Sequence, residues 1–171
     1  MLNKNKYEKI FILILIVVNL SASAQFSGKE VGIRGGITSG FTFRQYLEDN
    51  FSYEGLLSFR QDGLQFTLLR QIHQKTLFDI SDNLYLVFGY GSHAGFFYAS
   101  DYKLFINIPV FYPERRFSPV AGIDGYGALE YRVSSFPLTF AIDYKPFFEV
   151  SAYQFFKISI WDMAFAVKYR F

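Results

Sequence analysis

His93 is the residue of this chain whose type and surroundings come closest to those of a catalytic group. It directly follows Ser92 in the segment GYGSHAGFF, whose glycines leave space around its ring. A serine, a histidine and a more distant carboxylate form the active sites of many hydrolases, and barrel-type lipid A deacylases are one example. Consecutive side chains of a strand point to opposite faces, however, so Ser92 and His93 cannot share a proton without a bulge. The spacing therefore favours an interior histidine paired with an acid.

The other motifs of the sequence indicate no catalytic residue, cofactor or metal site. The stretches GIRGG (32–36) and GIDGYG (122–127) resemble fragments of phosphate-binding loops, but both lack the required Lys-Ser/Thr pair or a following helix. They fit glycines within strands, where a missing side chain permits close packing and bends. The chain has no cysteine, which excludes disulfides, zinc–thiolate sites and thiol nucleophiles.

An alternation of apolar and polar side chains with a period of two identifies the elements that carry these residues. The last segment is the clearest, because the odd positions from Trp161 to Phe171 are all apolar and the even positions are small or charged. Such alternation predicts strands with two unlike faces. Seven segments have it, namely 31–42, 53–60, 64–71, 84–98, 123–133, 138–145 and 161–171.

The connections between these segments predict an up-and-down sheet without a second domain. Asp62-Gly63 is typical of a tight type I′ hairpin turn, and Ser134–Pro137 is a second short connection. Barrels that cross the outer membrane have short turns on one rim and longer loops on the other. The sequence therefore predicts that short and long connections lie on opposite rims. The longer connections are expected near 44–51, 74–83, 99–117 and 150–157.

Bacterial single-chain barrels have even strand numbers, so the seven segments predict an eighth strand. One candidate lies within Tyr102–Tyr112, where the alternation is poor and Pro109 interrupts it. Alternatively, residues 99–117 form a long loop and the eighth strand lies near the N-terminus.

The first residues predict export. Lys4, Lys6 and Lys9 precede the apolar run Ile10–Val18, and the small residues Ser21–Ala24 follow it, as in a cleaved signal peptide. Nine apolar residues are too few for a membrane helix, which needs ~20. We therefore expect a signal peptide at 1–24 and a barrel at 25–171. The remaining chain has equal numbers of acidic and basic side chains, so its charge gives no indication of nucleic-acid binding.

Composition decides which face of the strands is predicted to point outwards. A soluble, lipocalin-like barrel would place the apolar face inside. The chain has 22 Phe, 13 Tyr and one Trp, more aromatic rings than a soluble domain of this size could readily bury. A lipid-facing wall with aromatic girdles accommodates them. The sequence thus predicts an all-β fold, an antiparallel transmembrane β-barrel of about eight strands.

The opposite, polar face would then line a narrow interior. Such an interior could be a selective pore, a catalytic cluster, or a set of mutually neutralising pairs that fills the space, as eight-stranded barrels commonly do. Glu130 and Arg132 on one strand are expected to pair with Asp143 and Lys145 on the next. The predicted lumen residues are Arg34, Glu54, Arg60, His93, Asp124, Glu130, Arg132, Asp143, Lys145, Asp162, Lys168 and Arg170.

A final strand that ends in Phe171, with Tyr169 two positions before it, resembles the assembly signal that the barrel-insertion machinery reads in Gram-negative outer-membrane proteins. The chain also resembles the small OmpX/OmpW-like barrels and a family of uncharacterised outer-membrane barrels. That resemblance implies the outer membrane of a Gram-negative bacterium, and it implies no activity. The segments that carry it are VGIRGGITSGFTF (31–43), GLQFTLL (63–69), YGSHAGFF (90–97), and GIDGYGALEYRV (122–133) followed by Pro137.

Three functions stay open from the sequence. The first is a non-enzymatic protein of envelope integrity or surface interaction, the second an enzyme acting on outer-leaflet lipid, and the third a narrow solute channel. The expected partners are outer-membrane lipid and lipopolysaccharide, whose phosphates Arg115 and Arg116 could contact from a loop. The protein is expected to be a monomer without a nucleic-acid partner.

Overall fold

The computed structural model describes residues 28–60, 63–75, 81–103, 109–151 and 157–171, and side chains for all of these except 99–103 and 109–116. The predicted signal peptide at 1–24 lies outside the described residues. In the described part of the chain, no helix is long and apolar enough to cross a membrane.

Ten strand segments follow one another along the described residues. They are β1 (Lys29–Gly36), β2 (Ser39–Glu48), β3 (Phe51–Arg60), β4 (Gly63–Lys75), β5 (Leu84–Lys103), β6 (Pro109–Arg132), β7 (Leu138–Tyr144), β8 (Phe147–Ser151), β9 (Lys157–Ser159) and β10 (Met163–Arg170).

These segments form one closed antiparallel sheet. The strand order is β5-β4-β3-β2-β1-β10-β7-β6-β8-β9, and pairing of β5 with β6 closes the cylinder. β7 and β8 continue the same register along β6, from Arg132↔Thr139 to Val120↔Ser151, so they are one barrel strand interrupted at 145–146. β9 and β10 form another, interrupted at 160–162. The predicted eight-stranded antiparallel barrel is therefore confirmed.

The eighth strand comes from the N-terminal region, and the prediction that placed it within 102–112 was wrong. The segment read as one strand at 31–42 is the hairpin β1–β2, whose partners include Ile33↔Phe41. Both residues of this pair have odd numbers, so odd-numbered side chains point outwards in β1 and in β2. The alternation of apolar and polar residues therefore continues through the turn without a break. The region 102–112 instead belongs to the ends of β5 and β6, which pair up to Lys103↔Pro109.

Several predicted connections are shorter than expected. Residues 44–48 belong to β2, so the predicted connection at 44–51 reduces to a turn at 49–50. Likewise most of 99–117 is strand, and only 104–108 separate β5 from β6. Residues 61–62 lie outside the described residues, so the type I′ turn stays a prediction, although Arg60 and Gly63 on either side are paired.

The prediction that short and long connections lie on opposite rims was wrong. We call the rim that holds Lys29 and Phe171 the terminal rim, and the other the distal rim. Two-residue connections occur at both, at 49–50 on the terminal rim and at 37–38 on the distal rim. The eight-residue link 76–83 belongs to the terminal rim.

The polar face points into the barrel and the apolar face points out, which is the membrane orientation and the reverse of a lipocalin-like barrel. Phe41, Phe165 and Leu68 on the outer wall are each about half exposed, whereas Glu130 and Thr139 inside are fully buried. Small residues such as Ala141 share the interior with the charged groups. An outward apolar band around a polar interior is the pattern of outer-membrane barrels.

The last strand closes the barrel against the first. β1 and β10 pair from Glu30↔Arg170 to Gly36↔Ala164. Beyond them, Phe171 N–H donates to the Lys29 carbonyl at 3.0 Å, and the rings of Tyr169 and Phe171 stack with centroids 6.4 Å apart. The predicted assembly signal thus lies at the closing seam.

We expect Phe171→Ala to lower the amount of barrel in the outer membrane, because the residue ends the closing strand and resembles the group that the insertion machinery reads. Immunoblotting of outer-membrane fractions, with unheated gels to detect folded barrel, measures this. Phe136→Ala is the matched control, since its ring is exposed on the same rim outside the closing strand. Equal levels of the two variants would contradict the assembly role.

Candidate functional site

The barrel interior holds two clusters of buried charged side chains. We call the one near the terminal rim the Arg44 cluster, after its central residue. The other lies towards the distal rim and we call it the His93 cluster. Both combine pairs between adjacent strands with contacts across the lumen that form because the sheet closes.

Arg44 extends from β2 to carboxylates of three other strands. Its Nη2 is 2.6 Å from Glu130 Oε1 and 2.7 Å from Glu54 Oε2, and its Nη1 is 3.0 Å from Glu30 Oε2. The side chain has no exposed surface. A guanidinium has five N–H donors in a rigid fork, which suits it to link several carboxylates at once.

A second cation and neutral donors complete the Arg44 cluster. Lys168 Nζ lies 2.9 Å from the Glu54 carboxylate and 3.5 Å from that of Glu130. Gln71 Nε2 donates to Glu54 at 2.8 Å, and the Thr42 hydroxyl also donates to Glu54. A buried ion pair is stable only when its remaining donors and acceptors are also satisfied, and these contacts meet that condition.

The terminal-rim side of this cluster is covered by aromatic rings and a second histidine. Arg132 lies 3.8 Å above the centre of the Tyr85 ring, and its Nη2 donates to Tyr46 Oη at 3.0 Å. The same Nη2 is 3.0 Å from His73 Nδ1, and His73 Nε2 is 2.8 Å from Ser52 Oγ. Because a guanidinium can only donate, His73 Nδ1 accepts here, so the ring is neutral with its proton on Nε2.

The His93 cluster begins with Arg34, which lies between two aspartates. Arg34 Nη2 is 2.6 Å from Asp143 Oδ1 and 3.4 Å from Asp162 Oδ1. The Thr38 hydroxyl donates to Asp162 Oδ2 at 2.6 Å. Lys145 Nζ continues the chain of charges, 3.2 Å from both Asp162 Oδ2 and Asp124 Oδ1.

His93 lies between two carboxylates at the far end of this chain. Its Nδ1 is 2.8 Å from Asp124 Oδ2, and its Nε2 is 3.3 Å from Glu149 Oε2. Glu149 in turn accepts from Arg60, with Nη2 3.2 Å from Oε1. A Cβ at Gly122, which faces His93 across the strands, would lie 2.7 Å from Nε2. The glycine therefore provides the space for the ring.

Ser92 lies on the outer face of β5 while His93 lies inside, only 3% exposed. The two side chains thus point to opposite sides of the wall, and the pair lacks the geometry of a nucleophile and its base. In the described residues, no group of three or more His, Cys, Asp or Glu side chains could hold a metal ion.

The structure places all but one of the sequence-predicted lumen residues in these clusters. The exception is Arg170, whose Nη2 donates to the carbonyls of Val133 and Phe136 at 2.6 and 3.2 Å and so holds the β6–β7 connection. The others are Arg34, Glu54, Arg60, His93, Asp124, Glu130, Arg132, Asp143, Lys145, Asp162 and Lys168.

The expected pairing of Glu130 and Arg132 with Asp143 and Lys145 was wrong. Glu130 contacts Arg44 and Lys168, whereas Lys145 contacts Asp124 and Asp162. In the sheet Glu130 lies opposite Ala141, not opposite a charge. Because the barrel is narrow, long side chains reach groups across the lumen as readily as groups on adjacent strands.

Sequence reasoning missed the central residue of the network. The first predicted segment ends at residue 42, which places Arg44 in a predicted connection. Glu149 lies beside the predicted connection 150–157 and belongs to no predicted segment. The parity signal was available, because Arg44 continues the even, inward series of Arg34, Thr38 and Thr42. Glu30, Tyr46 and His73 were missed for the same reason, since each lies just beyond a predicted segment.

We expect Arg44→Met to lower the free energy of unfolding by ~3–5 kcal/mol, because it leaves three buried glutamates without their shared cation. Urea unfolding in detergent measures the change. Lys75→Met is the matched control, since Lys75 is 64% exposed and its ion pair with Asp82 is 3.7 Å long. Exposed pairs contribute ~0–1 kcal/mol. Small and equal losses in both variants would indicate a hydrated interior instead.

Comparison with known proteins agrees with this architecture. The chain matches no protein-family model and no curated protein. Among solved structures it is similar to the N-terminal β-barrel domain of Pseudomonas aeruginosa OprF, with a TM-score of 0.56 and 11% identity, over 84% of this chain and 95% of that chain. At such low identity the likeness concerns the fold alone. The chain therefore has the fold of a small outer-membrane β-barrel domain.

Proposed function

We propose that this protein is a non-enzymatic barrel of a Gram-negative outer membrane, which serves envelope integrity or surface interaction through its rims and outer wall. The observation that carries this proposal is the filled interior. Arg44 and Lys168 are at most 1% exposed and reach carboxylates on other strands across the lumen. Interiors of eight-stranded barrels are commonly filled by side chains in this way.

A filled interior leaves the rims and the wall as the surfaces available to partners. The longest strands, β5 with 20 residues and β6 with 24, pair with each other up to Lys103↔Pro109 at the distal rim. Their hairpin extends beyond the neighbouring strands, because the pairing of β4 with β5 ends at Gly63↔Phe97 and that of β6 with β8 ends at Val120↔Ser151. A projecting hairpin on a rigid barrel suits surface interaction, because binding residues are often presented on loops by a rigid scaffold.

Two further parts of the proposal rest on the sequence. Residues 1–24 act as a cleaved signal peptide, and Tyr169 with Phe171 is read by the barrel-insertion machinery. Kinship with the OmpX/OmpW-like barrels, a monomeric state and contact with lipopolysaccharide belong to the same proposal.

A lipid-modifying enzyme is the second candidate, and His93 tests it. We expect His93→Gln to insert normally and to leave the lipid A profile unchanged, because Ser92 faces the other side of the wall. Mass spectrometry of lipid A, at matched protein level, provides the measurement, with Ser92→Ala as control. Positioned acid–base catalysis contributes ~10²–10⁴-fold, so loss of an activity would be evident. A lipid A profile that changes in the His93 variant would overturn the non-enzymatic proposal.

A narrow channel is the third candidate. We expect the wild-type barrel to give no steady conductance in planar bilayers, because the Arg44 cluster fills the lumen from Glu30 to Glu130. The reconstituted sample is first verified as folded by its migration on unheated gels. Reproducible single-channel steps from such a sample would contradict a closed interior.

A further inference from the structure

Arg70 is an unusual residue of the outer wall. Among the outward strand positions whose side chains the structure describes, those away from the strand ends carry apolar, small or uncharged side chains, with Arg70 on β4 as the exception. It is exposed, and its neighbours on the same face, Leu68 and Ile72, are 49% and 44% exposed. A charged side chain on the lipid face of a barrel is destabilising in proportion to its depth. Its presence there calls for an anionic partner.

Aromatic groups hold the Arg70 side chain in place. Its Nη1 donates to Tyr90 Oη at 2.8 Å, and its guanidinium carbon lies 4.8 Å from the centre of the Phe51 ring. Tyr53 is its cross-strand partner on β3. Among the described residues the guanidinium has that one hydrogen bond, so most of its five N–H donors are free to bind a ligand.

The position of Arg70 matches the depth of a lipid headgroup. Its partner Tyr53 lies two residues from Phe51, the first residue of β3 at the terminal rim. Tyrosines at this level belong to the aromatic girdle that marks the membrane interface. Guanidinium groups bind phosphate oxygens in a bidentate manner, so a lipid phosphate at this level is a matching anion.

An apolar groove of about 450 Å³ on the same wall is lined by Tyr53, the cross-strand partner of Arg70. Its floor is Gly55, which pairs with Phe43 on one side and Leu68 on the other. A Cβ at Gly55 would lie 3.6 Å from the Phe66 ring, so any larger side chain there would occupy the groove. The groove lining is Val31, Phe41, Thr42, Phe43, Gln45, Tyr53, Gly55, Leu57, Phe66 and Leu68.

Arg70 and the Gly55 groove succeed one another along the wall, from the terminal rim towards the middle of the barrel. From Tyr53 through Gly55 to Leu57, β3 runs from the terminal rim towards the middle of the barrel. A lipid whose phosphate lies on Arg70 would therefore direct its acyl chain into the groove and towards the bilayer centre.

We propose that Arg70 and the Gly55 groove form a binding site for an anionic glycerophospholipid, with the phosphate on Arg70 and one acyl chain in the groove. The inference rests on the proposed membrane location of the barrel. It adds a defined lipid site to the largely apolar outer wall.

Native mass spectrometry of the full barrel in detergent tests the site, with phosphatidylglycerol and phosphatidylcholine of identical acyl chains as probes. We expect the wild type to retain phosphatidylglycerol preferentially. Arg70→Gln should reduce that retention about tenfold, as expected when a charge-assisted hydrogen bond is lost. Lys75→Gln, which removes the same charge from a rim position, should retain the lipid as the wild type does.

The groove is tested with a second pair of variants. Gly55→Leu should fill the groove and reduce retention of phosphatidylglycerol while the charge on Arg70 is kept. Gly127→Leu is its control, because a Cβ at this outer-wall glycine meets no atom within 4 Å. The wild type and each variant are first run on unheated gels, so that a variant that does not fold is distinguished from one that loses lipid. Failure of the wild type to form a folded barrel in detergent would contradict the proposed membrane barrel itself.

Wild-type retention in Arg70→Gln, or equal retention of the two phospholipids, would overturn the proposed site. Preferential retention of lipid A over phosphatidylglycerol would overturn the glycerophospholipid assignment.

Discussion

The neutralisation of charge inside a closed, narrow barrel is the constraint on which this structure depends. Arg44 illustrates it, because one fully buried guanidinium serves Glu30, Glu54 and Glu130 from three different strands. Taking such groups out of water is expensive, and their mutual attraction compensates only when the remaining donors and acceptors are also satisfied. Thr42, Gln71 and Thr139 supply those contacts. Closure and charge pairing therefore support each other, since Arg44 of β2 meets Glu130 of β6 only when the sheet is closed, whereas Glu30 and Glu54 lie opposite Arg44 on adjacent strands.

The same network of charges determines the surroundings of His93 in the interior. His93 is hydrogen-bonded to Asp124 through Nδ1, its Nε2 lies 3.3 Å from Glu149 Oε2, and the ring packs against Gly122, so the network constrains its position. The nearest serine in sequence lies outside the wall. Under the proposed function, partners bind outside the lumen, where Arg70 is a charged residue in a band of described side chains that is otherwise uncharged and the β5–β6 hairpin extends past the distal rim.

Strand periodicity predicted the faces of this barrel well and its turns poorly. Every second residue from Trp161 to Phe171 was assigned to the outer face, and the buried series Asp162, Ala164, Ala166 and Lys168 agrees with that assignment. The β1–β2 hairpin escaped notice because its partners share parity, so no break in the alternation marks the turn. That omission placed Arg44 in a supposed connection and hid the centre of the network.

The sequence by itself determined the two unlike faces of each strand, the apolar composition of the outer one and the near balance of charge on the inner one. These are local properties, since side-chain direction in a strand alternates regardless of which strands are neighbours. Only the tertiary structure decided the partners of each charge. Glu130 was expected to pair with a neighbour on β7, yet it pairs with Arg44 of β2 and Lys168 of β10. Contacts across a lumen depend on barrel diameter, strand tilt and stagger, which are properties of the closed sheet as a whole.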